Sequence, residues 1–206
     1  MNGSPQMHSS QDLSDAELMR RIAGGSEQAL DALHGRFARQ VFGLAAQSLD
    51  RAAAEDIVQE VFLVVMRDAG RYDPARAALP TYLYGIARHQ TRRRLTRDRQ
   101  FVAFDGADDE ARPIVVEEDP TAALERREEL QRLRRAIVSL PRKYREVIVL
   151  CDLQDVSYSD AAAVLRCAIG TIRSRLHRAR CLLTQKMGRA AHGEPEDQRM
   201  TMRCAV

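Results

Sequence analysis

The chain has 206 residues, with Lys+Arg 32 against Asp+Glu 29 and a formal net charge of +3. Its longest apolar run, Val61 to Met66, is far shorter than the roughly 18 residues that a membrane span needs. The N-terminal residues lack the basic and apolar regions of a secretory signal. We therefore expect a cytoplasmic protein with no stable membrane insertion.

Arginine dominates the basic residues. Only Lys143 and Lys186 are lysines, so the other 30 of the 32 cations (32 − 2) are arginine. The forked, permanently charged guanidinium suits phosphates, base edges and carboxylates. A GC-rich genome also produces such an excess, so composition alone does not assign it a function.

The first half of the chain predicts four helices. A capping-box spacing of Ser14 and Glu17 opens the first helix, and Gly24 and Gly25 close it. The second is expected from about 26 to 49, the third from about 52 to 69 and the fourth from about 80 to 97. Apolar residues at helical spacing mark the buried stripe of the third helix: Ile57, Val61, Val64 and Val65.

The middle of the chain is acidic and the second half is again helical. Residues 101–121 hold seven acids and one arginine, a local charge of −6 (1 − 7), which indicates a flexible linker without a core. Helices are predicted over 121–140, 142–153, 158–165 and about 169–187. The predicted divisions are a disordered N-terminal tail (1–12), a first domain (13–100), the acidic linker (101–121), a second domain (122–187) and a C-terminal tail (188–206). The predicted fold class is all-α, with two small helical domains.

The last two predicted helices form the pattern of a helix-turn-helix. A short helix ends at Leu165, three residues follow, and a longer helix begins near Gly170. From Arg166 to Arg189 there are seven basic residues and no acid, a local charge of +7. Like charges on one helix face repel each other, so this face favours an anionic partner such as nucleic acid over a merely solvated surface.

The fourth helix carries a second basic cluster. Between Arg88 and Arg99 six arginines face one acid, a net charge of +5 (6 − 1), and Tyr82 and Tyr84 precede them. Tyrosine rings stack on bases while arginines follow phosphates, which favours melted nucleic acid. The alternative is that one or both tyrosines belong to the core. The outer face of the third helix instead mixes acids, an amide and a leucine, and either binds a partner protein or is simply solvated.

Together these segments resemble the sigma-70 family of RNA polymerase sigma factors. The resemblance rests on four ordered motifs: AEDIVQEVFLVVMRDAGRYDP, PTYLYGIARHQTRRRL, LPRKYREVIVLCDLQDVSYSDAAAVL and GTIRSRLHRARCLL. The layout of two domains is similar to the extracytoplasmic-function (ECF) group. The family implies binding to core RNA polymerase and promoter DNA, control by an anti-sigma partner, and an acidic linker that runs through the polymerase.

The resemblance also implies site residues. Docking on the β′ clamp helices is expected from Asp56, Gln59 and Glu60. Contacts with the melted minus-10 strand are expected from Arg71, Tyr82, Tyr84, Arg88, His89, Arg92 and Arg93. Reading of the minus-35 duplex is expected from Arg173, Ser174, Arg175, His177 and Arg178, while the surrounding helices bind the β flap.

Some positions depart from the family pattern. Tyr82 stands where tryptophan is common and His89 where asparagine is frequent, which leaves the minus-10 sequence open. Arg166 replaces a turn glycine, so a left-handed backbone there would be mildly strained or the turn would differ.

Parts of the sequence also fit two other classes of protein. A stand-alone helix-turn-helix regulator explains the second domain but leaves the Tyr82–Arg99 cluster and the linker without a task. A non-specific RNA-binding or adaptor protein predicts steep salt dependence without sequence preference. No phosphate-binding glycine loop, His-Glu-x-x-His or Gly-x-Ser-x-Gly motif is present, so no enzyme, cofactor or metal is expected. Cys151, Cys167 and Cys181 are expected to be reduced structural thiols, while the role of Cys204 stays open.

Overall fold

The computed structural model describes residues 13–102 and 124–192, and every regular element in them is helical. The first range holds α1 (Asp15–Ala23), α2 (Glu27–Ala45), α3 (Arg51–Asp68), a 3₁₀ turn (Ala69–Arg71) and α4 (Leu79–Val102). The second range holds α5 (Leu124–Val138), α6 (Arg142–Ile148), a π turn (Val149–Leu153), α7 (Tyr158–Leu165) and α8 (Ile169–His192). The all-α fold with two helical domains is therefore confirmed. No described helix is long and apolar enough to cross a membrane.

Side-chain caps define where several helices begin. The hydroxyl of Ser14 accepts a hydrogen bond from the backbone N–H of Glu17 (3.3 Å), as the capping-box pattern predicted. Ser26, Asp50 and Ser157 cap α2, α3 and α7 in the same way. Each cap pairs a backbone donor that the first helical turn leaves without a partner. These polar residues therefore fix the start of each helix in the sequence.

The first domain is a bundle in which α2 packs against α1, α3 and α4, and α3 also packs against α4. Its core is mainly aliphatic, as expected from the low aromatic content. The fully buried residues include Leu18, Leu33, Ile57, Val61 and Leu83. On α3, Val58 and Phe62 are buried as well, whereas Val64 of the predicted stripe is only half-buried. The buried face of α3 therefore includes Val58 and Phe62, which the predicted stripe lacks, and Val64 lies at its edge.

The second domain packs α6 and α7 against α8, with α5 alongside. Leu140, Leu150, Ile172 and Leu176 are fully or almost fully buried among these helices. Helices α7 and α8 form the predicted helix-turn-helix, and Arg166 ends α7 in the left-handed region with φ 53°. The turn thus keeps the backbone shape that glycine favours, with arginine in its place.

The two domains also contact each other directly, mainly through α4 and α7. The sequence predicted a connection through the acidic linker only. Helix α4 extends to Val102 and so includes the first residues of that predicted linker. The rest of the linker and both predicted tails lie almost entirely outside the described residues, and α8 continues past residue 187 to His192.

Candidate nucleic-acid and partner interfaces

The outer face of α3 combines acids with exposed apolar side chains. Asp56 and Gln59 are exposed, and Glu60 is half-buried. Leu63 and Met66, on the same helix, are 58% and 52% exposed. An exposed apolar pair beside carboxylates is typical of a protein contact surface. The structure thus places Asp56, Gln59 and Glu60 on an accessible face, which their expected role requires.

A groove of about 350 Å³ separates this face from the basic end of α4. Asp56 Oδ2 lies 3.3 Å from Arg94 Nη1, so the acidic face and the arginine cluster meet across the groove. Arg94 also approaches Asp98 on its own helix, at 3.5 Å. The groove is lined by Glu60, Leu63, Val64, Arg67, Gln90, Arg93, Arg94 and Arg97.

Five of the expected minus-10 residues are at least partly accessible. The side chain of Arg71 is 85% exposed at the end of the 3₁₀ turn, and His89, Arg92 and Arg93 are exposed along α4. Tyr82 is half-buried, with its ring 5.3 Å from that of Tyr72, and burial raises the pKa of its hydroxyl. The loop before α4 and the middle of α4 therefore present one ring and several cations together.

Tyr84 and Arg88 do not belong to this open surface. Tyr84 is only 3% exposed, and its hydroxyl donates to Gln154 Oε1 of the second domain at 3.2 Å. Arg88 Nη1 donates to the carbonyl oxygen of Val164 at 3.3 Å, and its Nη2 lies 3.5 Å from Glu146 Oε2. In this arrangement α7 and the π turn cover Tyr84 and Arg88, so of the two alternatives for the tyrosines the core position applies to Tyr84.

The outer face of α8 is basic, as the sequence predicted. Arg173, Ser174, His177 and Arg178 are exposed and Arg175 is half-buried, while Ile172, Leu176 and Ala179 form the buried stripe. Leu183, the next apolar position on this side of α8, is half-buried. The five expected minus-35 residues therefore lie near the N-terminal end of one helix, the end that enters a major groove in this motif.

Arg180 on the same helix is engaged within the domain. Its Nη2 lies 2.6 Å from Asp152 Oδ1 and its Nε lies 3.0 Å from Oδ2, a bidentate pair. This pairing raises the pKa of Arg180. Asp152 belongs to the π turn, so the pair ties α8 to the segment after α6. This pairing could not be predicted from the sequence, because the two residues are far apart along the chain.

The described cysteines do not form a metal site. Cys151, Cys167 and Cys181 are half-buried thiols, and Cys181 Sγ lies 3.9 Å from His177 Nε2. Among the described residues, no group of three or more His, Cys, Asp or Glu side chains converges as metal ligands would. Burial raises the pKa of the Cys151 thiol, helped by the neighbouring carboxylate of Asp152. Cys204 lies outside the described residues.

A helix-turn-helix at one end and an arginine-rich helix at the other define the class of helical DNA-binding transcription proteins. The family model "Sigma-70 region 2" matches residues 33–101, and "Sigma-70, region 4" matches residues 130–183. The chain belongs to the sigma-70 family, in its ECF group. Members of this family are transcription initiation factors and not enzymes.

Curated relatives match over most of their length. The chain is 30% identical to the ECF RNA polymerase sigma-E factor of Escherichia coli strain K12 over 187 residues, covering 86% of this chain and 96% of that protein. It is also 30% identical to the RNA polymerase sigma-H factor of Pseudomonas aeruginosa over 174 residues, covering 81% and 90%.

Two solved structures have a similar fold. One is the sigma factor RpoE of Bartonella quintana in complex with the anti-sigma factor NepR, with TM-score 0.66, 24% identity and coverage of 77% of this chain and 96% of that chain. The other is CnrH in complex with the cytosolic domain of CnrY, with TM-score 0.63, 23% identity and coverage of 84% and 97%. These likenesses show that the fold is shared.

Proposed function

We propose that the chain directs core RNA polymerase to specific promoters and holds the DNA strand that melts there. The observation that carries this proposal is the presence, in one chain, of an acidic and apolar face on α3 and two separate arginine-rich helices. A stand-alone regulator needs the basic face of α8 but has no use for the other two surfaces. As a partner of RNA polymerase, the protein acts in the cytoplasm and catalyses no reaction of its own.

The α3 face is the proposed docking site for the β′ clamp helices. This face supplies hydrogen-bond acceptors and negative charge through Asp56, Gln59 and Glu60. It also supplies apolar area, because Leu63 and Met66 are exposed to water in the free protein. Hot spots in protein interfaces combine apolar anchors with a polar rim, and this face has both.

The loop before α4 and the face of α4 are the proposed site for the minus-10 strand. Tyr82 offers a ring to an unstacked base, and Arg71, Arg92 and Arg93 offer cations to the strand's phosphates. His89 can donate or accept a hydrogen bond beside that base. Tyr84 and Arg88 are proposed to join this site only when the two domains separate.

The exposed face of α8 is the proposed reader of the minus-35 duplex. Arg173, Arg175 and Arg178 can contact guanine edges or phosphates in the major groove, and Ser174 and His177 add shorter polar contacts. The β flap is proposed to bind the rest of the second domain, where Leu130 and Leu153 are 44% and 52% exposed.

An anti-sigma factor is proposed as the regulatory partner. The support is that both similar solved structures are complexes, one with an anti-sigma factor and one with the cytosolic domain of CnrY. A partner that covers the α3 face would prevent polymerase from binding there.

The proposal is tested with purified core polymerase and a pair of charge-reversed variants. Glu60→Lys is expected to weaken core binding by about tenfold or more, because it replaces a carboxylate of the proposed contact with a positively charged side chain. Glu55→Lys is the matched control, since Glu55 is an exposed acid on α3 that pairs with Arg51 at 3.0 Å and is not assigned to the contact.

Core binding is measured by titration, and initiation is measured by transcription from a random promoter library. Selection of one promoter pattern by the reconstituted holoenzyme supports the proposal. A wild-type chain that binds DNA specifically but neither binds core nor supports initiation would instead be the stand-alone regulator.

A further inference from the structure

The groove between α3 and α4 concentrates arginine in a space the size of a small-molecule site. Four of its lining residues are arginines and one is an acid, Glu60, a local charge of +3 (4 − 1). The lining positions are 60, 63, 64 and 67 on α3 and 90, 93, 94 and 97 on α4, so each helix turns one stripe into the groove. The volume of about 350 Å³ lies within the range of about 300–1,000 Å³ that is usual for ligand pockets.

Two of the groove arginines have no carboxylate partner. Arg93 and Arg97 are exposed, and neither forms an ion pair with another residue in the ranges 13–102 and 124–192. The two residues lie one helical turn apart on α4, so their like charges repel each other. An anion bound between them would remove that repulsion and form charge-assisted hydrogen bonds with both.

The other two groove arginines are paired but still shape the site. Arg67 bonds the carboxylate of Asp68 through Nε at 3.3 Å and Nη2 at 2.9 Å, which leaves three of its five N–H donors (5 − 2) for a ligand. Arg94 pairs with Asp56 on α3 as well as with Asp98. The bridge from Arg94 to Asp56 therefore ties the two helices together beside the groove.

The α3 wall of the groove suits an organic group better than a bare anion. Leu63 is 58% exposed, and Val64 beside it is half-buried, so a planar ring could cover both. Glu60 is half-buried and can accept a hydrogen bond from a ribose hydroxyl or from the amino group of a base. Inorganic pyrophosphate would use the arginines but neither of these features. Together, the walls fit a nucleotide.

A DNA strand is a poorer occupant than a free nucleotide. Asp56 and Glu60 border the groove on the α3 side, close to the arginines of α4. The repeated phosphates of a strand laid along the groove would pass these carboxylates and be repelled. A single diphosphate can contact Arg93 and Arg97 alone.

We propose that the groove binds a nucleoside diphosphate, and that the bound nucleotide keeps core RNA polymerase off the α3 face. Glu60 and Leu63 line the groove and also belong to the proposed docking face, so the nucleotide and the β′ clamp helices compete for them. The competition rests on the proposed function. The binding of the nucleotide does not, because it requires no polymerase.

Nucleotide binding is tested by isothermal titration calorimetry of the full-length chain with ADP, GDP and inorganic pyrophosphate. Arg97→Gln is expected to raise the Kd for the nucleotides about tenfold, the loss typical of a charge-assisted hydrogen bond. Arg67→Gln provides a second, independent loss. Arg39→Gln is the matched control, since Arg39 is an exposed arginine on α2 that does not line the groove, and it should change the Kd by less than about twofold. Circular dichroism establishes that each variant is folded.

Competition is tested by titrating core polymerase with and without the tighter of the two nucleotides, at ten times its Kd for the parent chain. The apparent Kd for core is expected to rise about elevenfold in the parent chain (1 + 10) and about twofold in Arg97→Gln (1 + 1), because the same concentration then only equals the Kd. Arg39→Gln should behave as the parent does. Any nucleotide bound by the polymerase itself affects all variants equally.

Several results would overturn the proposal. These are no binding of ADP or GDP, pyrophosphate that binds as tightly as both, or a Kd that Arg97→Gln leaves unchanged. A single-stranded DNA that binds more tightly than either nucleotide, with a loss in Arg97→Gln, would assign the groove to DNA instead. A core affinity that the nucleotide does not alter would refute the competition.

Failure of the proposed function gives a different result. A chain that binds ADP or GDP through Arg97 but does not bind core supports the nucleotide site and contradicts the role in initiation.

Discussion

Arg166 has the left-handed backbone conformation that its place in the turn demands. Its φ is 53°, and its backbone N–H bonds to the carbonyl oxygen of Ala163 at 3.3 Å. A residue with a Cβ atom is strained there, whereas glycine adopts this conformation readily. From the sequence, either a strained backbone or a different turn was expected at Arg166, and the structure has the strained left-handed backbone.

We predict that Arg166→Gly stabilises the protein. The free energy of unfolding of the second domain is expected to rise by about 1 kcal/mol, because relief of the strain exceeds the extra entropy of glycine in the unfolded chain. Urea denaturation followed by circular dichroism measures this. Gly25→Ala is the mirror control in α1's C-terminal turn, where φ is 84°, and is expected to destabilise by a similar amount. A lower stability of Arg166→Gly would contradict the prediction.

Cys151 is predicted to react slowly with thiol reagents. Burial, reinforced by Asp152, raises the pKa of the thiol, so the folded protein contains less thiolate near pH 8 than the unfolded chain does. A slower rate than in urea is expected, because a smaller thiolate fraction and the burial of the sulfur both slow the reaction. Maleimide labelling followed by peptide mass spectrometry measures the rate at each cysteine. Equal rates in native buffer and in urea would refute this.

Burial also makes the stability of the fold depend on pH through three tyrosine hydroxyls. Burial raises the pKa of Tyr72, Tyr82 and Tyr84 above the ordinary value of about 10. The unfolded chain therefore releases these protons at lower pH than the folded one. The stability that these groups contribute is complete below about pH 10 and is lost as the pH rises through the folded pKa values.

Among the elements, α8 has two classes of arginine on one helix. Arg173 is exposed and faces solvent, whereas Arg180 is held by Asp152 through two hydrogen bonds. A side chain already bound within the protein must break those contacts before it can bind DNA. The two residues therefore have different expected roles despite identical chemistry.

We predict that Arg173→Ala weakens promoter binding by the holoenzyme about tenfold or more, the loss typical of a removed base or phosphate contact. Arg180→Ala, the matched control, is expected to affect promoter affinity less and to lower thermal stability instead, because it leaves Asp152 unpaired. Binding to a duplex with the minus-35 element is titrated at several salt concentrations. Equal losses of affinity in the two variants would show that Arg180 also reaches DNA.

Most helices could be predicted from the sequence, because caps and helical periodicity are local signals. Ser14 and Glu17 set the start of α1, and all the basic residues counted from Arg166 to Arg189 except Arg166 lie on α8. The sequence predicted one continuous helix over 142–153, whereas the structure has a π turn at Val149–Leu153, whose hydrogen-bonding register the apolar spacing of so short a segment does not specify.

At the scale of the whole molecule, the contact between domains was missed for a physical reason. Periodicity marks which face of a helix is apolar, but this contact depends on Arg88, Glu146 and Gln154, residues that are normally solvated. The pairing of Arg88 with Glu146 cannot be predicted from local sequence, because the two residues are far apart along the chain. For the same reason the position of Tyr84 stayed open at the level of sequence, because a tyrosine suits a base-stacking surface and a half-polar interface equally well.

We predict that core polymerase increases the distance between the domains. Donor and acceptor dyes are attached to cysteines introduced at Gln28 on α2 and Thr184 on α8, both exposed, in a chain whose native cysteines are replaced by alanine. Energy transfer is expected to fall when core is added, because the contact between the domains covers Tyr84 and Arg88 of the proposed minus-10 site. The same labelled chain with Glu60→Lys should keep its high transfer at core concentrations that open the parent. Unchanged transfer in the core-bound parent would contradict the prediction.

The π turn makes the closed arrangement depend on the number of residues in one segment. A π turn equals an α-helix with one residue inserted, and the insertion rotates everything that follows by about 100° around the helix axis, one residue's share of a turn. Gln154, which bonds Tyr84, and Asp152, which bonds Arg180, both depend on this register. A single-residue deletion between 149 and 153 would thus redirect these side chains even where every remaining residue is unchanged. In a lineage of such proteins, a one-codon change in length could alter how tightly the free protein closes.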